Sequence, residues 1–235
     1  MRPIFITGTD TDAGKTFCAV ALIHALQNHQ QQCRVLKPVA AGAEQESFNN
    51  EPPQLRNDDA LRLLAATGAA ITPLTYRQAN PFCFRPAIAP HIAAQQVQQR
   101  VTIEHLLQHY KALPHDAQWC VIEGAGGWLV PLNEQQSLAD FVQALGAPIV
   151  LVVGMKLGCL NHALLTVADI ERRGLQLAGW IANTTQAETM TNYAENLATL
   201  QQRIAAPLLA EVPFQEQANP AAVATKFAVA DWMSS

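Results

Sequence analysis

The sequence predicts an α/β protein in which a three-layer, mostly parallel β-sheet carries helices on both faces. Short apolar runs rich in β-branched residues alternate with helical patterns of more than ten residues, which is typical of right-handed βαβ crossovers. The run 150–153 is almost wholly apolar, as expected of a strand buried on both faces. Polar or glycine-rich segments follow several of these runs, at the edge of a parallel sheet where ligands bind.

Six apolar runs predict strands, and apolar residues at helical spacing predict the elements between them. The first strand, 4–6, leads through the loop 8–16 into a helix over 15–27 that contains no breaker. The second strand, 34–39, is broken by Pro38, and Asn57 predicts the cap of a helix that runs to about residue 66. Later strands are predicted over 118–123, 148–153, 177–183 and 208–212, and later helices over 101–113, 138–145, 159–172 (closed by Gly174) and 189–204.

Two segments are predicted to lack regular structure. Residues 41–56 are polar and contain a glycine and two prolines, which favours an active-site loop or a flexible segment. Residues 73–90 contain four prolines and three aromatic residues, which favours an irregular segment.

Composition indicates a globular protein. The chain has 235 residues, 49% of them hydrophobic and 14% charged, and no segment resembles a linker, so we expect a single domain over 1–235. Low charge with high hydrophobicity argues against disorder. A net charge of −4 without a run of Lys or Arg argues against a nucleic-acid-binding surface, and a surface poor in charge favours an oligomer.

The cysteines and the start of the chain bear on its compartment. Five widely spaced cysteines without a Cys-x-x-Cys motif argue against a disulfide or zinc framework and favour a reducing compartment. The chain begins with a predicted strand, so we expect no signal peptide, and no apolar run reaches the roughly 18 residues of a membrane span. We therefore expect a cytoplasmic protein that does not enter a membrane.

A phosphate-binding P-loop is predicted between the first strand and the first helix, where the sequence is GTDTDAGKT. Backbone amides at the start of a helix bind phosphate oxygens. Lys15 would reach the β- and γ-phosphates, and the Thr16 hydroxyl would bind Mg²⁺. Five residues separate the two glycines where the usual pattern has four, but the Gly-Lys-Thr part is intact. The alternative is an ordinary turn with a solvated lysine.

Acidic residues and a second lysine occupy positions that suit a magnesium-dependent P-loop enzyme. Glu123 ends an apolar strand, where a carboxylate resembles a Walker-B position and a solvated glutamate is the alternative. The run Gly124-Ala125-Gly126-Gly127 follows, so the backbone there can approach a ligand closely. Asp59 lies in the first turn of the Asn57-capped helix, where it could equally complement the helix dipole. Lys37 ends the second strand at the predicted active edge, where a solvated lysine is the alternative.

Other chemistry-bearing residues are expected to serve structure. His105 and His109 have metal-ligand spacing on a helix, but no third ligand is evident, so a polar helix face is expected. Cys159 lies at a predicted helix start, which could lower its pKa, yet a packed role is expected. Trp128 and Trp180 are expected to fill the core.

An ordered set of motifs resembles the dethiobiotin synthetase family. The resemblance covers about residue 4 to residue 213, and although single motifs occur in other P-loop proteins, the ordered set is specific. The motifs are GTDT-x-x-GKT (8–16), KPVA (37–40), LRN-x-DA (55–60), NP (80–81), PHI (90–92), EGAGGW (123–128), KLGCLNH (156–162), AGWIAN (178–183) and APLL (206–209).

The resemblance implies a P-loop NTPase-like fold and an ATP- and Mg²⁺-dependent ligase that acts on 7,8-diaminopelargonate and CO₂ in biotin biosynthesis. One amine would add to CO₂ to give a carbamate, which ATP would convert to a carbamic–phosphoric anhydride. The second amine would then close the cyclic urea of dethiobiotin and release phosphate. The family also implies a homodimer.

The resemblance implies a role for each matching residue. It places Thr16, Asp59 and Glu123 at Mg²⁺, and makes Lys15 and Lys37 catalytic. Around ATP it places Asp12, Ala13, Gly14, Lys15, Thr16, Phe17, Asp59, Glu123, Gly124, Ala125, Gly126, Asn183, Thr184, Pro213, Phe214 and Gln215. Around the diamine it places Thr11, Lys37 and Ala41, together with Gly158, Cys159 and Asn161 of the other subunit.

Two positions depart from the family pattern. The family commonly has a hydroxyl residue where this chain has Ala41, and relatives can have Glu near the ribose where it has Ala221. Loss of either contact is expected to weaken binding of the diamine or of ATP, respectively.

Other classes of P-loop protein fit the sequence less well. A partition or septum-site ATPase switch is the alternative function, but such switches carry a second lysine early in the P-loop, and residues 9–12 contain none. A related amidotransferase-like synthetase would need room for a glutaminase domain. A GTPase would need an Asn-Lys-x-Asp motif, which is absent from the sequence.

Overall fold

The computed structural model describes residues 1–47 and 52–233. Its strands are β1 (Arg2–Gly8), β2 (Cys33–Leu36), β3 (Val39–Ala41), β4 (Glu44–Glu46), β5 (Gln54–Arg56), β6 (Phe82–Phe84), β7 (Trp119–Glu123), β8 (Ile149–Gly154), β9 (Leu177–Asn183) and β10 (Leu208–Val212). Its helices are α1 (Lys15–Asn28), α2 (Asp58–Ala66), α3 (Pro73–Ala79), α4 (Pro90–Gln96), α5 (Ile103–Ala112), α6 (Leu138–Leu145), α7 (Cys159–Arg172), α8 (Tyr193–Arg203) and α9 (Pro220–Val223).

A parallel sheet with the strand order β10-β9-β8-β1-β7-β2 forms the centre of the protein. The chain builds outward from β1 toward β2 on one side and toward β10 on the other. The carboxyl ends of β1, β7 and β8 therefore border a crevice at the point where the strand order reverses, which is where such sheets bind ligands.

Successive side chains of each strand point to opposite faces of the sheet, so the core lies on both faces. Helices cover both faces, which gives three layers. On β1, Ile4 and Ile6 pack with α1 and α2, whereas Phe5 packs with α5 and α6 on the opposite face. On β8, Val150 and Val152 face the α1 side, and the residues between and after them face α7 and α8. The predicted three-layer α/β fold is thus confirmed.

Most predicted elements are present with small changes at their ends. The bounds 138–145, 159–172, 177–183 and 208–212 are those predicted. The helix predicted over 189–204 begins later, at Tyr193. The strand predicted over 34–39 is two strands, because the chain leaves the sheet at Lys37 and Pro38 and β3 pairs with β6 instead.

The prediction that 73–90 is irregular is wrong. This segment contains α3, β6 and the start of α4. Pro73 and Pro90 each occupy a first helical turn, where a missing N–H costs nothing and the fixed φ suits the helix. Thr72 caps α3 through a reciprocal capping box with Thr75.

The prediction that 41–56 is a loop is wrong in part. β4 and β5 in this segment form an antiparallel ribbon, which leads directly to the Asn57 cap of α2. The middle of the segment, 48–51, lies outside the described residues. In the part of the chain that the structure describes, no helix is long and apolar enough to cross a membrane.

An ion network ties the loop after β7 to α7. The Asp169 carboxylate accepts a hydrogen bond from Trp128 Nε1 at 2.8 Å and pairs with Arg172 and with Arg173 Nε, the latter at 2.6 Å. Arg173 also reaches Asp140 in the first turn of α6 at 2.7 Å. Trp128 and Trp180 are buried, which confirms their expected core role.

The Asp169 network predicts a specific acid sensitivity. Burial opposes ionisation, but the hydrogen bonds from Arg172, Arg173 and Trp128 outweigh it and lower the pKa of Asp169 to about 2. Because the folded-state pKa lies below the unfolded one, the stabilisation exists above pH ~4 and is lost as the pH falls toward 2. Asp169→Asn is expected to lower the free energy of unfolding at pH 7 by about 1–2 kcal/mol.

Urea unfolding measured between pH 2 and pH 7 tests this prediction. Asp169→Asn should lose stability mainly above pH 4, so that its curve is flatter than that of the wild type between pH 4 and pH 2. Asp116→Asn is the matched control, because Asp116 pairs with Arg34 on the surface with 64% of its side chain exposed, and it should change stability by less than about 0.5 kcal/mol. Parallel pH curves for wild type and Asp169→Asn would contradict the prediction.

Candidate active site

The P-loop has the geometry of an anion site. It connects β1 to α1, and Gly14 forms the helix start at φ +83°, a left-handed conformation that favours glycine. No side chain of residues 1–47 or 52–233 caps α1, so the amides of its first turn, including Thr16 and Phe17, remain available to a ligand. Amides and helix dipole together favour a phosphate there.

The side chain of Asn183 is hydrogen-bonded to the backbone of this loop. Its Nδ2 donates to the carbonyl oxygen of Ala13 at 2.8 Å, and the side chain is buried at the end of β9. A Cβ at Gly14 would lie 2.1 Å from the same Nδ2, so the close packing of Asn183 also requires glycine at position 14. The structure thus gives Asn183 a supporting contact that its predicted role at adenine did not include.

Lys15 is folded back onto its own loop. Its ammonium donates to the carbonyl oxygens of Asp10 at 3.0 Å and Thr11 at 3.2 Å, and the residue is buried. Burial, together with the positive charge of Lys37, lowers the pKa of Lys15 to about 8. A bound phosphate would supply the negative charge that this buried ammonium lacks.

A partly buried ion cluster lies beside the P-loop and contains the acids and the second lysine predicted from the sequence. Lys37 Nζ donates to Glu123 Oε1 at 2.6 Å, to Asp59 Oδ2 at 3.0 Å and to the carbonyl oxygen of Gly124 at 3.1 Å. Thr16 Oγ1 donates to Glu123 Oε1 at 2.9 Å. The ends of β2 and β7 and the starts of α1 and α2 therefore meet at one point, which we call the Lys37 cluster (Thr16, Lys37, Asp59, Glu123).

The contacts within the cluster favour the charged forms of Lys37 and Asp59. Burial opposes the charge on Lys37, but Glu123 and Asp59 outweigh it and raise the pKa of Lys37 above its usual value. Burial likewise opposes the charge on Asp59, and the ammonium of Lys37 outweighs it and lowers the pKa of Asp59. With Lys15 nearby, two ammonium groups balance two carboxylates.

The same oxygens suit Mg²⁺. Glu123 Oε2 is buried and accepts no hydrogen bond from the described residues, so it retains coordinating capacity. Carboxylate and hydroxyl oxygens are the ligands Mg²⁺ takes from proteins, with phosphate and water completing the shell. The described residues contain no group of three or more His, Cys, Asp and Glu side chains that could hold a metal by themselves. The predicted ligand set therefore fits a metal that arrives with a nucleotide.

The glycine-rich run after Glu123 lies against the P-loop. A Cβ at Gly127 would lie 3.6 Å from the carbonyl oxygen of Gly8, and one at Gly126 would lie 3.8 Å from Thr11 Oγ1. Thr11 and Asp12 are exposed on the loop surface. The glycine-rich run thus borders the P-loop, and its expected close approach to a ligand stays a prediction.

Other predicted positions lie at the ends of β3, β9 and β10. Ala41 ends β3, and its carbonyl oxygen accepts from Asn57 Nδ2 at 3.3 Å. The exposed residues Pro213 and Phe214 follow β10, whose Val212 carbonyl binds the amide of buried Thr184.

The start of α7 stands apart from the Lys37 cluster. Gly158 and Asn161 are exposed, and no hydrogen bond among the described residues joins them to the cluster. Cys159 is buried, and burial raises the pKa of its thiol, so the helix start does not activate it. Lys156, just before α7, pairs with Asp10 of the P-loop at 2.7 Å.

Sequence reasoning missed two buried residues behind the cluster, Tyr76 and Asn80. They lie in the segment predicted to be irregular, so no role was assigned to them. The Asn-Pro motif at 80–81 was the available signal. The expectation that His105 and His109 do not form a metal site is consistent with their contacts, because His109 Nε2 hydrogen-bonds the Gln78 carbonyl.

Comparisons with known proteins point to one family. The chain matches the AAA domain model over residues 2–222. It is 45% identical to the ATP-dependent dethiobiotin synthetase BioD of Pseudomonas aeruginosa over 225 residues, which cover 95% of both chains. It is 47% identical to that of Cellvibrio japonicus, over 90% of this chain and 89% of the relative, and 44% identical to that of Pseudoalteromonas translucida, over 92% of both.

Solved structures share the fold at much lower identity. The MinC:MinD cell division protein complex of Aquifex aeolicus matches with a TM-score of 0.55 and 13% identity, over 99% of this chain and 89% of that one. A ParA family ATPase of Chlorobium tepidum matches with a TM-score of 0.54 and 11% identity, over 92% and 85%. These likenesses confirm a P-loop NTPase-like fold and carry no function.

Proposed function

This chain belongs to the ATP-dependent dethiobiotin synthetase family, and we propose that it carboxylates and cyclises 7,8-diaminopelargonate with CO₂ and ATP. One amine adds to CO₂ and forms a carbamate. The carbamate oxygen takes the γ-phosphoryl group of ATP, which releases ADP. The second amine then attacks the carbonyl carbon of the anhydride, closes the cyclic urea and expels phosphate.

The observation that carries the proposal is the Lys37 cluster at the edge of the P-loop. A carbamate anion is a poor electrophile, and phosphorylation gives it a leaving group. The transfer brings two anions together, so the protein must supply positive charge and position both partners. The cluster contains a buried ammonium beside a phosphate loop, which is the arrangement this step requires.

The P-loop residues have the simplest roles. Lys15 and the amides of residues 12–17 bind the phosphates, and Asn183 holds the loop in shape. Thr16, Asp59 and Glu123 would hold Mg²⁺, which when bound neutralises phosphate charge. Asn183 and Thr184 with the segment 213–215 would border the adenine.

Lys37 is proposed to stabilise the carbamate and the transferring phosphoryl group. Its pKa is raised by Glu123 and Asp59, so the group stays protonated at neutral pH. Its ammonium makes three hydrogen bonds within the cluster. It would exchange one of these acceptors for an oxygen of the incoming anion. Thr11 and Ala41 would face the diamine, with Ala41 offering no hydroxyl at its position.

We also propose a homodimer in which the start of α7 serves the neighbouring site. Leu157, Leu165 and Leu129 are 94%, 63% and 56% exposed, and the Trp128–Asp169 contact keeps Leu129 near α7. A surface with this much exposed leucine favours a protein partner. Gly158 and Asn161, together with the amides of this helix start, would receive the carboxylate tail of the partner's substrate.

A reducing, cytoplasmic compartment completes the proposal. All five cysteines are free thiols in the structure, and four of them are buried. Proteins that keep several unpaired cysteines are typical of reducing compartments.

Phosphate release tests the proposed reaction. ATP hydrolysis should be slow alone and should rise only when both 7,8-diaminopelargonate and bicarbonate are present, with dethiobiotin formed in equal amount. Lys37→Met should lower kcat by about 100-fold or more, because it removes charge stabilisation at the transferring group. Phosphate release that ignores the diamine would reject the ligase and favour a switch ATPase.

Mixed dimers test the shared site. Lys37→Met and Asn161→Asp should each keep only about 1% of wild-type activity or less as homodimers, the latter because its charge repels the carboxylate tail. After subunit exchange at equal amounts, half of the dimers are mixed, and each mixed dimer has one intact site, so activity should recover to about a quarter of the wild type. A mixture no more active than the sum of the two separate variants would contradict the shared site.

A further inference from the structure

Behind the Lys37 cluster, a buried hydroxyl and a buried amide connect α3 to the elements that hold the cluster. The Tyr76 hydroxyl accepts from the backbone N–H of Asn57 at 2.7 Å and donates to Asn80 Oδ1 at 3.0 Å. Asn80 Nδ2 donates to the carbonyl oxygen of Lys37 at 2.7 Å. Both side chains are 3% exposed, so a lost partner would leave an unpaired buried group.

The backbone of Lys37 is held on both sides by the end of α3. Its N–H donates to the carbonyl oxygen of Ala79 at 2.6 Å, and its carbonyl accepts from Asn80. Pro81 disfavours a helical conformation at the residue before it, and Asn80 accordingly leaves the helix at φ −138° and ψ 83°. This turn aims the Asn80 amide at Lys37.

The hydrogen bond between the Tyr76 hydroxyl and Asn57 leads to Asp59, the carboxylate partner of Lys37. Asn57 caps α2 by accepting from the amide of Ala60 at 3.3 Å. Asp59 lies in that first turn and pairs with Lys37 Nζ at 3.0 Å. The Tyr76 hydroxyl therefore connects the backbone of Lys37 with the helix turn that supplies its ion partner.

We propose that Tyr76 and Asn80 are positioning residues that hold Lys37 and the Asp59 turn in register for phosphoryl transfer to the carbamate. This inference rests on the proposed role of Lys37. Among the described residues, no hydrogen bond joins either side chain to the P-loop, so the loop amides and Lys15 do not depend on them directly. The Asn-Pro motif at 80–81 thereby acquires a function.

Tyr76→Phe tests the proposal with little change of shape. The ring stays against the Arg56 guanidinium, 4.8 Å away, while the hydroxyl is lost. We expect kcat to fall on the order of 10- to 100-fold, as a small displacement of a catalytic group does. The Kd of a non-hydrolysable ATP analogue should change by less than about twofold, since Lys15 and the loop amides keep their places.

Two comparisons separate positioning from general loss of structure. Tyr110→Phe removes a hydroxyl that donates to the Met1 carbonyl at 3.3 Å, outside the site, and should keep normal kcat. In a Lys37→Met background, Tyr76→Phe should lower the remaining rate by less than about twofold, because it acts through Lys37. If Tyr76→Phe fails to fold, Asn80→Ala is measured in the same way.

The possible results separate the positioning role of Tyr76 and Asn80 from the proposed role of Lys37. A kcat within twofold of the wild type for Tyr76→Phe and for Asn80→Ala, or an equal loss with and without Lys37, would overturn the positioning role alone. A Lys37→Met enzyme of normal activity would instead overturn the proposed role of Lys37, and the positioning role with it.

Discussion

The rest of the site depends on one buried ion contact, that of the Lys37 ammonium with Glu123. Both side chains are almost completely removed from solvent, and a buried charge is tolerated only when it is paired and hydrogen-bonded. Lys37 meets this requirement through two carboxylates and the Gly124 carbonyl. Glu123 ends β7, Asp59 lies in the first turn of α2, and Lys37 follows β2. The contact therefore forms at the edge of the sheet where these parallel strands end.

The chain handles a polyanion although its net charge is −4. Its positive potential is local, built from Lys15, Lys37 and the aligned amides at the start of α1, and it is balanced by Asp59 and Glu123 when no ligand is bound. The low charge of the whole sequence says little about this site. Exposed leucines at α7 and in the loop after Trp128 add apolar surface to this weakly charged chain, and the proposed dimer is argued from them.

The active edge could be predicted because its signals are local. Gly-Lys-Thr after a strand, an acid at the end of an apolar strand and Lys37 before Pro38 each depend on near neighbours in sequence. The segment 73–90 could not be predicted, because its prolines mark helix starts as readily as loops. Thr72 caps the helix that begins at Pro73, but among the described residues no side-chain hydrogen bond caps the one that begins at Pro90. The contacts of Tyr76 and Asn183 depend on residues far along the chain, and periodicity contains no such information.

The central claim is that the Lys37 ammonium occupies oxygens that a metal would use. Binding of Mn²⁺ to the nucleotide-free protein, followed by electron paramagnetic resonance, tests it directly. Lys37→Met should bind Mn²⁺ about 10-fold more tightly than the wild type or better, because a competing charge leaves Glu123 and Asp59. Lys15→Met removes an equal charge that donates to neither carboxylate, and it should have less than a threefold effect. Equal affinities for wild type and Lys37→Met would contradict the claim.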